Sequence, residues 1–507
     1  MLLLTRRQFA GLTAAGLLAL NRCVLGEETT EEVYDPQRPL LRTGKKLTVQ
    51  PVLVYRPAER RELSSWRSWG PVNTPAAADE ERKRIDQELA ALQASGTSLL
   101  EIRPTLVATS DDEARAIQKR DHDAVMIYHA SGSRSIVQAC FASQGPKDTL
   151  IFARHESGPI YYGYEALSTG GYLKKGTAED YAGCSADNHG PVTVNDVVID
   201  DYEAVRCRLA ALAGLKNFIG HRILALGGAQ GKYDASAPKV AREKYRFDIV
   251  DLDYKDLGRR LDILRADAKF LARADKWTDV YLSIPGTKLQ TDRRFITEAF
   301  LLYRIFKDWL RENNATSITI NQCMGTIIEM SRTTACLTLS WLNDEGYLAL
   351  CESDFVIVPP CVLMRYICGN PVFLHNSTFP HRGRVTCAHC TCPRRLDGAQ
   401  YEPAAIMTHY ESDYGAAPKV DLPIGRQVTF ISPEFATGRW LGFTGIVKGN
   451  PNFEICRSQQ EVEIQGQWQR LMAEARDSHW VMTYGDHAEA AQYAARKIGI
   501  RWDSLTS

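Results

Sequence analysis

The sequence predicts an α/β protein, with two doubly wound units in succession and a β-rich region after them. Three observations carry this. Short apolar strands alternate with amphipathic helices over 47–165, the alternation resumes over 199–345, and strand patterns separated by Gly and Pro turns replace it over 346–507. At 507 residues the chain is too long for a single core.

The first unit opens with Leu47–Tyr55, where Leu47, Val49, Val52 and Val54 give a strand pattern. Thr74 as N-cap and Pro75 at the first helical position then start a helix. Ile85, Leu89 and Leu92 form its apolar stripe. Strands follow at Leu99–Ile102, Ala124–Tyr128 and Leu150–Phe152, with helical patterns at Asp111–Arg120 and Ser133–Ser143 between them. Residues 166–195, rich in Gly, Ser, Thr, Asn and Asp, form a connection.

In the second unit the helix Asp201–Leu215 leads to strand Arg222–Leu226 and the turn Gly227-Gly228-Ala-Gln-Gly231. Further strands are expected at Phe247–Leu252, Val280–Ser283 and Ser317–Ile320, and a long helix at Asp292–Arg311. The glycine spacing departs from G-x-G-x-x-G, so the turn is a tight strand-to-helix connection rather than a dinucleotide loop. Ligands of open α/β sheets bind beyond the carboxyl ends of the strands, so Gly227–Gly231 and Asn321–Cys323 are expected to border one cleft. The third region carries strand patterns at Val428–Ile431, Gly442–Val447 and Glu461–Gln465 and closes on helix Ala488–Ile498.

Lysine plus arginine equals aspartate plus glutamate, 61 of each, which speaks against nucleic acid or an anionic membrane as partner. Ahead of the fold, Thr5-Arg6-Arg7-Gln8-Phe9 precedes a short, weakly apolar run from Ala10 to Leu20. This resembles a twin-arginine export signal over residues 1–26, which implies a periplasmic protein free of the membrane after signal removal. The run is shorter than the roughly 20 apolar residues a spanning helix needs. The alternative is an uncleaved amphipathic N-terminus.

The thirteen cysteines are scattered, as buried small apolar residues would be. Their one local cluster is Cys387-Ala-His389-Cys390-Thr-Cys392. A four-ligand metal site needs a second pair nearby, and the sequence has none, so the cluster reads as a strand end with incidental thiols.

Candidate chemistry lies at strand ends. A strand after Asp344–Gly346 delivers Glu352 and Asp354; a second, from Gly369, ends at His375 and Asn376; a third is entered through His479 and left through His487. Glutamate, asparagine and histidine at three strand ends suit a divalent cation of hard to intermediate character. Each has a plainer role open to it: Glu352 as a helix cap, His375 and His389 as hydrogen-bonded structural histidines, His479 as a packed strand residue, His487 as the start of the last helix.

Glu352-Ser-Asp354, the approach Gly369…Phe373, and His479 followed by Thr483-Tyr-Gly485 together resemble the motif order of the L-fucose/L-arabinose isomerase family. The resemblance implies two flavodoxin-like domains and a C-terminal β-rich domain that shares a metal site with the end of the second. It implies an aldose–ketose isomerase working through an enediol on a free monosaccharide. Carried over by position, the metal ligands, for manganese, are Glu352, Asn376 and His479, with Glu352 and Asp354 catalytic and His375, His389, Asn321 and His487 lining the site. Asn376 departs from the family, which has aspartate there: a carboxamide brings no charge and exchanges no proton. The resemblance further implies a trimer or hexamer. The alternative function is an exported, non-catalytic sugar-binding protein on the same fold, which the Asn376 substitution favours.

Overall fold

The computed structural model describes residues 33–95, 99–142, 145–168, 171, 173–434, 438–475 and 477–505, so the export segment 1–26 lies outside the described residues. Residues 33–38 belong to a small N-terminal unit, where the Arg38 N–H donates to the Asp35 carbonyl.

In the large unit, Pro39–Ser507, the first sheet contains β1 (Leu47–Val54), β2 (Leu100–Ile102), β3 (Leu106–Ala108), β4 (Ala124–His129), β5 (Asp148–Ala153) and β6 (Val197–Ile199). All pairings are parallel, in the order β2-β1-β4-β5-β6. β3 continues the edge begun by β2 along the second half of β1. Pro104 lies between them and has no N–H for the ladder, a reason for the edge to be in two pieces. The sheet runs to Ile199, past the expected boundary at 165, because β6 pairs with β5.

The second sheet, also parallel, is ordered β11-β10-β7-β8, from β7 (Arg222–Leu226), β8 (Asp248–Leu252), β10 (Ser317–Ile320) and β11 (Leu348–Leu350). β11 extends this part of the chain beyond 345. The expected strand Val280–Ser283 is instead the end of helix Ala268–Leu282. Phe270, Ala274, Trp277 and Tyr281 are buried along one face of that helix, and Asp267 caps it, so the 3.6-residue period overrides the local apolar run. β9 (Thr287–Gln290) leaves the second sheet's neighbourhood to join β14 (Ala404–His409) and β15 (Tyr414–Val420) in a three-stranded sheet.

The C-terminal region is a closed antiparallel barrel of β12 (Phe373–Ser377), β13 (Arg384–His389), β16 (Gln427–Glu434), β17 (Arg439–Gly449), β18 (Ser458–Gln465) and β19 (His479–Tyr484). Pairing of β16 with both β17 and β19 completes the circuit, which removes free edges. β20 (Arg501–Ser504) adds in parallel to β17. Phe430, Phe443 and Trp480 pack together, Phe430 and Phe443 stacking at 4.7 Å between centroids. Leu374, Ile431 and Val481 alternate with these residues and join the core shared with the helices.

Candidate active site

The site begins with two loops at the carboxyl ends of β7 and β11. Gly227 and Gly228 take φ of +76° and +88°, and a Cβ at Gly227 would come within 2.5 Å of the Tyr254 ring, so the turn requires glycine. The chain then runs beside the loop after β11. The Gln230 N–H donates to the Ser353 carbonyl at 3.1 Å, the Phe355 N–H to the Gln230 carbonyl at 2.8 Å, and the Gln230 side-chain amide to the Glu352 carbonyl at 2.7 Å. Glu352 and Ser353 are held at φ +65° and +49°, a region costly for any residue with a Cβ. Gln322, after β10, is likewise at φ +53° and leads into a π-helical turn, Cys323–Ile327. Strained backbone thus occurs at both loops that border one cavity.

That cavity, of about 760 Å³, is lined by Gln230, Lys232, Asn321, Glu352, Asn376 and His389, among others. The expected cleft between Gly227–Gly231 and Asn321–Cys323 is therefore present, closed on its far side by barrel strands. On its wall Lys232 Nζ lies 2.9 Å from Glu352 Oε2 and 3.2 Å from Nε2 of His479, which is fully buried behind it. The same two acceptors are 3.4 Å apart, and His389 Nε2 is 3.6 Å from Glu352 Oε1. Glu352 and His479, far apart in sequence, are brought together by the fold, and the Lys232 ammonium stands between them.

Asp354 is fully buried and does not face the cavity, so it corrects the expectation of a catalytic carboxylate. Its Oδ1 accepts from the Lys232 N–H (2.9 Å) and the Val356 N–H (3.1 Å), and its Oδ2 contacts His479 Nδ1 at 2.7 Å. It fixes the imidazole and the lysine backbone together, which is a positioning role. Tyr233 covers His479: its ring meets the imidazole edge-on at 6.1 Å, and its hydroxyl bonds Ser478.

Barrel alternation separates the remaining candidates. Asn376 and His479 are cross-strand partners and share the outward face toward the second sheet's loops. His375, one residue earlier, shares the inward face with Trp480 and packs on Phe373 and Phe430, so it does not line the site. A shift of one residue reverses the face in a strand, and the sequence pattern did not show which of the two pointed out. His487 stands at the N-terminal boundary of the last helix without a side-chain capping bond, its Nε2 3.0 Å from the Tyr484 carbonyl, and is also outside the cavity. Asn321 and His389 line it. Lys232 was not among the expected residues. An exposed lysine after a glycine turn carries no signal until Glu352 is placed opposite it.

The charges are mutually dependent. Burial raises the Glu352 carboxyl, but hydrogen bonds to His389 and His479 more than reverse this and hold it far below the usual carboxylate range. Burial lowers His479, while Asp354 and Glu352 outweigh it, for a net rise. The proton on His479 therefore decides its partner. With Nε2 protonated it donates to Glu352; with Nε2 bare it accepts from Lys232.

Next to this cluster the thiols of Cys323 and Cys351 are 3.4 Å apart. No family model matches the chain, and no curated protein matches it either.

Proposed function

We propose that the protein is an aldose–ketose isomerase-like enzyme acting on a free monosaccharide, of the L-fucose/L-arabinose type, through an enediol. The carrying observation is a carboxylate and an ammonium on the wall of one cavity of small-ligand size, with a braced imidazole buried directly behind them. The strand orders β2-β1-β4-β5-β6 and β8-β7-β10-β11 support a flavodoxin-like reading of both parallel sheets, with the cavity at the switch point between β7 and β10.

In this reading Glu352 removes the proton from C2 of the aldose and returns it to C1. Lys232 Nζ stabilises the negative charge that develops on O1, gives a proton to O1 and takes one from O2, while His479, buried behind it and oriented by Asp354, positions the ammonium. Atoms balance: one carbon-bound proton moves from C2 to C1 and one oxygen-bound proton from O2 to O1. Asn321, Asn376 and Gln230 offer amides to the sugar hydroxyls.

The divalent ion implied by the resemblance would use Glu352, Asn376 and His479. That set does not fit it in the present arrangement: Lys232 stands at the two atoms the ion would share, and Asn376 contributes no charge. Manganese bound after Lys232 swings aside is the second reading, favoured by the 3.4 Å separation of Glu352 Oε2 and His479 Nε2.

The test is conversion of a panel of aldoses and ketoses by the folded protein, with chelator and with added manganese. Turnover in chelator that is lost in Lys232→Met supports the ammonium mechanism. Turnover only with manganese supports the second reading. No turnover in either condition sinks the isomerase, and sugar binding by calorimetry would then leave the non-catalytic receptor.

A further inference from the structure

A second cluster in the same cavity wall has no part in the chemistry at Glu352. Cys336 begins helix Cys336–Glu345, Cys390 follows β13, and His409 ends β14, yet one donor atom from each lies within 4.8 Å of the others. All three side chains are buried. Cys456, partly buried on the loop before β18, packs against Cys336 and Cys390. His409 Nδ1 is buried and has no hydrogen-bond partner. All four residues line the cavity.

We propose that Cys336, Cys390 and His409, with Cys456 as the fourth donor, bind a divalent cation of the zinc class. A tetrahedral ion with zinc–sulfur bonds of about 2.3 Å sets neighbouring sulfurs roughly 3.8 Å apart, inside the present spread. Thiolate and imidazole are donors that zinc accepts and manganese does not favour. An ion would also account for the unpartnered His409 nitrogen, because a buried polar atom without a partner is otherwise costly. The ligands come from helix Cys336–Glu345, the end of a barrel strand and the three-stranded sheet. Bound metal would tie these together in the wall of the cleft.

The local Cys387-x-x-Cys390-x-Cys392 run is not this site. Cys387 and Cys392 are buried elsewhere: Cys392 Sγ donates to the Pro393 carbonyl at 3.4 Å, and its own carbonyl accepts from Ser340. Only Cys390 of the three joins the cluster.

Cobalt(II) titrated into the reduced full-length chain tests the proposal directly. The expected result is a single tight cobalt per chain, with a sulfur-to-cobalt charge-transfer band in the near ultraviolet and the intense visible bands of a tetrahedral ion, both displaced by zinc. Cys390→Ser and His409→Gln should each weaken binding at least about tenfold, as expected for lost ligands. Glu352→Gln should leave the spectrum unchanged, which separates this ion from any ion at the proposed active site. Cobalt binding without sulfur charge transfer would overturn the proposal. So would undiminished binding in both ligand variants, or a stable disulfide between any two of these cysteines that resists reduction in the folded chain.

Discussion

Two lysines, each set against carboxylates, do opposite work in this molecule. Lys497, on the last helix (Ala488–Lys497), is 2% exposed and lies 2.7 Å from Asp196 and 3.6 Å from Asp148. Tyr493 donates to the same Asp196 oxygen at 2.6 Å, the Thr193 N–H donates to the other at 2.7 Å, and His189 contacts Asp148 at 2.8 Å. Burial lowers the Lys497 ammonium, but Asp196 and Asp148 outweigh it and raise the pKa, so the ammonium stays charged. This cluster pins the C-terminal helix to the edge of the first sheet. Lys232 and Glu352 are partly exposed instead, at 37% and 31%, on a loop pair with left-handed backbone at Glu352 and Ser353. The difference teaches where to look for function. A fully buried ion cluster holds elements together, whereas one that borders a cavity and sits on strained backbone is available to a ligand.

If the contrast holds, rate and stability separate between the two clusters. The largest effect is expected for Glu352→Gln, which removes the base: turnover should fall about 100- to 10,000-fold with a thermal midpoint near that of the native chain. Steady-state kinetics with calorimetric melting checks both, and a native rate in this variant would break the comparison. Lys497→Met should do the reverse, costing about 3–5 kcal/mol of stability by leaving buried carboxylates unpaired, with kcat per folded molecule unchanged. Denaturant titration measures it.

Lys232→Met should cost roughly 100- to 1,000-fold in kcat, the range for loss of a single oxyanion donor. It should also raise the His479 pKa further, since the nearby ammonium opposes protonation of the imidazole. Imidazole NMR shifts followed across pH read this, and an unchanged pKa would show the two groups to be uncoupled. Gln322→Gly should stabilise the chain by about 1 kcal/mol through relief of the φ +53° backbone, at the expense of a looser site.

The smallest effect concerns pH. The His479 pKa is raised above its ordinary 6.5, so the stability its proton contributes is fully present below that value and is lost as pH climbs through the higher folded value. Melting curves of native chain and His479→Asn should therefore converge on the alkaline side. The Lys497 cluster, its lysine shifted further up, should show no such loss over the same interval.

Much of the architecture was legible along the chain. Strands such as Ala124–His129 and Ser317–Ile320 are short, buried on both faces and bounded by turn residues, so composition alone marked them. The apolar residues of segment 280–283 fit a strand, and only the longer stripe from Phe270 to Tyr281 identifies a helix. Within the site, strand ends pointed to Glu352, Asn376 and His479. They could not separate Asn376 from His375, since neighbouring residues of a strand differ only in the face they present.

By itself the sequence determined the succession of two alternating α/β stretches and a β-rich end, because hydrophobic period and turn chemistry are local properties. The tertiary structure alone decided that the final strands close into a barrel, that Lys232 stands between Glu352 and His479, and that Cys336, Cys390 and His409 meet. Those contacts join residues separated by long stretches of chain. Such contacts are fixed by packing, not by any pattern that neighbouring residues carry.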